Sequence, residues 1–118
     1  MNRKRREPET IGDVIAERRL SVVGLPELKV IIQLGKPRDA EELFEDGKEA
    51  ADAFCPFRIL GVGDEHIHYA IGIDAIQALQ LVMKAITADI GVLSKQHGYT
   101  FRWLDDSDGD LGFPGTGS

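Results

Sequence analysis

Residues 72–94 read GIDAIQALQLVMKAITADIGVLS, and their spacing decides the fold. Ile76, Leu79, Met83, Ile86, Ile90 and Leu93 recur in steps of three and four, the spacing of one face of an α-helix. Asp74 stands at the N-cap position, where a carboxylate accepts hydrogen bonds from the free N–H groups of the first turn. Gln77, three residues on, completes a variant of the capping box. These features predict one long helix over about residues 74–94, roughly 30 Å in length. A second apolar seam, Ala78, Leu81, Ala85, Ala88 and Val92, lies about 150° around the helix from the first. A helix that covers one sheet and otherwise faces water needs only one seam. The small residues of the second let another backbone approach closely. It is therefore expected to be an interaction seam, covered by its own copy in a second subunit or by the tail around Leu111 to Pro114.

On either side of the helix the apolar pattern switches to a period of two. Val14, Ala16, Leu20 and Val22 share one face of a strand over Asp13 to Val23, and Leu28, Val30, Ile32 and Leu34 share one face of the next. Placing both apolar sets on the same face requires Leu20 opposite Val30, through a five-residue loop from Val23 to Glu27 or an equivalent bulge. Lys36 to Asp52 is strongly acidic, with room for one short helix capped by Asp39 and anchored by Leu43 and Phe44. Phe54 to Val62 and Glu65 to Ile71 read as a hairpin turning at Gly63-Asp64. Tyr99 to Leu104 is a final, aromatic strand. The fold class is α+β: an antiparallel sheet of about five strands, covered on one face by the long helix, with the strand order left open.

The organisation follows. Residues 1–12 form a basic arm read as flexible, 13–104 a single α+β domain, and 105–118 an acidic, then glycine-rich tail. The chain has 118 residues and a net charge of −6, while residues 1–10 carry +2, so the remainder is acidic enough to repel a phosphate backbone. Nucleic-acid binding is not expected; it would rest on the arm alone. No apolar run approaches the roughly 18 residues of a membrane span, and no apolar segment follows the basic arm as in a secretory leader. The single cysteine, Cys55, forbids an internal disulfide and fits a reducing, cytoplasmic setting.

Candidate chemistry is sparse. His66 and His68 are two apart in a predicted strand and share a face, a spacing that suits metal binding, but a third ligand is missing. Asp105 to Asp110 surrounds Gly109 without the ligand positions of a calcium loop. Neither a metal nor another cofactor is expected. Cys55 lacks a base at any telling spacing. Arg18 falls on the apolar face of its strand and needs a partner, for which Asp89 is a candidate; the alternative is an arginine lining a pocket. Arg18, His66 and His68 are thus the polar groups a pocket between helix and sheet would use.

Three stretches together resemble a known family: Ile15-Ala16-Glu17-Arg18-Arg19-Leu20, Gly72 to Leu81, and Asp110-Leu111-Gly112-Phe113-Pro114. It is a family of short, uncharacterised bacterial proteins, a domain of unknown function. The resemblance implies a bacterial, soluble, single-domain protein and brings no catalytic residues. The expected function is a non-enzymatic interaction module, a homodimer or the binder of a protein partner. The alternative is a small-ligand binder or enzyme with a pocket between helix and sheet.

Overall fold

The computed structural model describes residues 7–44, 52–104 and 111–113. Among the described residues, six antiparallel strands, β1 (Val14–Val22), β2 (Leu25–Gly35), β3 (Arg38–Asp39), β4 (Ala53–Leu60), β5 (His68–Gly72) and β6 (Phe101–Arg102), form one sheet with one α-helix, α1 (Ala75–His97). β4 pairs with β2 through Phe57–Leu60 and with β3 through Ala53 and Phe54, whereas β5 pairs along Ala53–Phe57 and overlaps both. A strand has two edges, so β2 and β3 share one edge of β4 and β5 takes the other. The order is then β6, β1, β2 continued by β3, β4, β5.

Leu20 lies opposite Val30, as the shared apolar face requires, and Arg18 lies opposite Ile32. The turn itself is tighter than five residues: Val22 pairs with Leu25 around Val23-Gly24, and an irregularity in β2 absorbs the extra residues. The second hairpin differs more. Phe57 faces His68, two residues from the register that a Gly63-Asp64 turn sets, and residues 61–67 form a loop. A shift of two preserves parity, so the faces of β4 and β5 are unchanged.

Each face of the sheet carries a core. On one, Leu20, Val30, Ile32, Cys55, Phe57 and Ile59 pack beneath Ala78, Val82, Ile86 and Ile90 of α1. On the other, Phe54 joins Tyr69 and Ile71 beneath a 3-10 turn, Ala40–Leu43, where the Asp39 carboxylate accepts from Glu41 N–H. Helix capping follows the sequence: the Asp74 carboxylate accepts from Gln77 N–H, and Gln77 Oε1 accepts from Ile73 N–H at 2.7 Å. Gly98, left-handed at φ 69°, ends α1. By length and composition α1 could cross a membrane; here its inner arc packs on the sheet.

The phase of α1 departs from the reading of its seams. Val82, which belonged to neither, is fully buried, whereas Ile76, placed on the core seam, is 68% exposed. Apolar residues occupy most of this helix's circumference, and the arc that faces the sheet falls between the two seams. Gly72 fixes the approach: a Cβ there would collide with the backbone of Ala78 and Gln77, so the first turn of α1 rests directly on β5.

Candidate functional site

A cleft of about 200 Å³ opens between the 61–67 loop and α1, with Asp64, Glu65, His66, His68, Asp89 and Gln96 on its walls and Val62 and Leu93 among its apolar residues. His68, at the start of β5, points to the helix side of the sheet and stacks on Phe57, the ring centroids 5.4 Å apart. Its Nε2 lies 3.6 Å from Asp89 Oδ2, which links β5 to α1. Burial pushes the Asp89 carboxyl above its ordinary value, partly opposed by the charge of His68, while the nearby Asp64 charge adds to the rise. His66 is not on the strand with His68. It sits in the loop, where its backbone N–H donates to Asp64 Oδ1 and its Nε2 lies 3.8 Å from Asp64 Oδ2. That backbone hydrogen bond is the main reason the Asp64 carboxyl stays below its usual range. Glu65 holds a left-handed backbone, φ 60°, an uncommon state for a side-chain-bearing residue, and its carboxylate accepts from Gly61 N–H. Among the described residues no three His, Cys, Asp or Glu side chains come together as a metal site. The acidic run Asp105 to Asp110 lies outside the described residues.

Arg18 is elsewhere, and Asp89 is not its partner. Its guanidinium carbon lies 3.8 Å from the Trp103 ring centroid and 4.7 Å from that of Phe113, and Nη1 donates to Leu111 O at 3.0 Å. Two aromatic faces and a carbonyl thus satisfy a half-buried cation. Leu111 and Phe113 pack against the main core at this point, beside Met83 and Ile86. Cys55 is inert by the same kind of reasoning: buried, its thiol donating to Gly35 O, it is pushed up to about 11 by burial.

The five seam residues divide. Ala78 is fully buried at the Gly72 contact and belongs to the core arc. Leu81 and Val92 are 38% and 51% exposed, Ala88 is exposed, and Ala85 is half-buried at the margin. Residues 111–113 do not cover this shoulder; they lie against Arg18 and Trp103, on the side of α1 that Met83 occupies. The seating of Arg18 on Trp103 and the contribution of Asp89 to the cleft carry no local sequence signal, since each depends on segments far apart in the chain.

The chain belongs to the family described as Domain of unknown function (DUF6968), which matches residues 16–115. No curated protein and no solved structure matches it.

Proposed function

We propose that this DUF6968 domain is a non-enzymatic interaction module that self-associates through the outer shoulder of α1. One observation carries the reading: Leu81, Ala88 and Val92 remain exposed on the outer side of α1 after both cores are filled, with Ala85 half-buried between this shoulder and the main core. Their steps of four, three and four read the same in both directions. An antiparallel copy therefore sets Leu81 against the copy's Val92 and Ala85 against the copy's Ala88, as a two-fold interface demands. Alanines at the centre let the two helix backbones approach closely. A reducing, cytoplasmic setting fits the single buried thiol. Leu81→Arg tests the reading, because a charge forced into a desolvated contact is costly. Leu81 is already partly solvated in the single chain, so the variant is expected to fold, with circular dichroism like the wild type, and to run as a monomer.

The cleft favours a second reading, a small-ligand site, because it brings His68 and a half-buried carboxylate within 3.6 Å across two elements. A melting-temperature screen with metals and common metabolites separates the two. A ligand selective for the folded state raises the melting temperature by mass action, and a saturable rise lost in His68→Ala would favour the cleft.

A further inference from the structure

The face of the sheet turned away from α1 is only partly covered. The 3-10 turn packs over Phe54, Tyr69 and Ile71, towards β4 and β5. Across β1, β2 and β4 the same face stays open, and the strand register sets its residues in rows. Glu17, Gln33 and Arg58 form one row, and Arg19, Ile31 and Leu60 form the next. Arg102 of β6 lies opposite Ser21 on this face. Lys29 stands between Leu28 and Val30, which pack on the main core, so strand alternation turns it the same way.

The two rows differ in how their polar groups are satisfied. Gln33 donates to Glu17 Oε2 at 2.6 Å and Arg58 Nε donates to Gln33 Oε1 at 2.7 Å, which ties the first row across three strands. Arg19, Lys29 and Arg102 are exposed, and among the described residues none has an ion-pair or hydrogen-bond partner. Ile31 and Leu60 lie half-buried beside them as an apolar strip. The whole chain carries −6, so four cations gathered around one carboxylate run against its overall charge.

We propose that this open face docks an acidic segment of a protein partner. Its carboxylates would meet Arg19, Lys29, Arg58 and Arg102, and an apolar side chain would lie over Ile31 and Leu60. Arginine suits this role, because its planar fork grips a carboxylate through two parallel N–H groups. Charge also selects a short segment over a nucleic acid. Screening limits what a small segment feels to about 8 Å at physiological ionic strength, whereas a long phosphate backbone also meets the acidic remainder of the chain. These rows contain no aromatic ring on which a base could stack. The α1 shoulder lies on the opposite side of the sheet, so this inference and the proposed self-association can each fail alone.

Fluorescence anisotropy of a labelled peptide built on the repeat Glu-Glu-Leu tests the surface. Binding is expected at low salt, and it should weaken as salt rises. Arg19→Glu/Lys29→Glu places like charge against the peptide and should weaken binding about tenfold. Both positions are exposed, so circular dichroism of that variant should match the wild type. Lys84→Glu/Lys95→Glu on α1 changes the net charge equally and should leave affinity within about twofold, since it lies beyond the screening length. A Glu-Glu-Ser repeat should bind more weakly than Glu-Glu-Leu. In the wild type the peptide should move the NMR amide signals of Arg19, Ile31 and Leu60 and leave those of Leu81 and Val92 in place. The proposal is overturned by no binding at low salt, by equal losses in the two charge variants, or by no preference for leucine over serine. Tighter binding of oligothymidylate than of the peptide, or NMR shifts confined to α1, would overturn it as well.

Discussion

Val82→Ala and Ile76→Ala together test which arc of α1 carries the core. Val82 is fully buried over the sheet and Ile76 is 68% exposed. Truncating Val82 removes two carbons, worth about 1.6 kcal/mol by transfer at roughly 0.8 per methylene. The cavity left behind raises the cost to about 2–3 kcal/mol. Unfolding entropy of about 2.1 cal/mol/K per residue amounts to roughly 0.25 kcal/mol/K for this chain length, so the melting temperature should fall by about 8–12 °C. Ile76→Ala removes more carbon but from a solvated position, and alanine is the better helix former. Its melting temperature should stay within about 2 °C of the wild type. Calorimetric scans of both variants under one buffer decide the matter. Equal losses, or a larger loss for Ile76→Ala, would mean that α1 sits on the sheet in a different rotation.

Cys55, with its thiol pushed up to about 11 and no solvent access, should resist a thiol reagent at pH 8 in the native protein and react fully in denaturant; fast native labelling would contradict its burial. Asp89 has its carboxyl raised by burial. A raised folded-state value means stability that is full in acid and declines as pH rises from the ordinary aspartate value through the folded one. Asp89→Asn cannot ionise and escapes that decline, so denaturant melts at pH 3 and pH 7 should show it gaining on the wild type and exceeding it at pH 7, by less than about 1 kcal/mol for so solvated a pair. A less stable variant at pH 7 would show that the attraction of His68 outweighs burial.

Much of the architecture was legible because it is written in local periodicity. The alternation in β1 and β2 forced Leu20 opposite Val30, and Asp74 marked the start of α1, which runs three residues beyond the expected end at 94. The rotation of α1 was not legible, since two overlapping three-and-four spacings fit a helix with apolar residues on most of its circumference. Val82 sits between them and is identified only by what it touches. The hairpin register slipped for a related reason: Gly63-Asp64 carries turn chemistry, but Asp64 and Glu65 instead cap N–H groups of a wider loop. At the site, the parity of Arg18 correctly signalled a cation needing a partner. The partner proved to be aromatic rings and a carbonyl from positions 103, 111 and 113, which no spacing near Arg18 announces. His68 found Asp89 by the same long-range route.

The most direct test of self-association is the mass of the untagged wild-type protein by light scattering after size exclusion, measured from low to high micromolar concentration. The proposed two-fold contact between α1 shoulders predicts a mass twice that of the chain, falling to a single chain's mass in Leu81→Arg. A wild-type protein that keeps a single chain's mass at high micromolar concentration would contradict it.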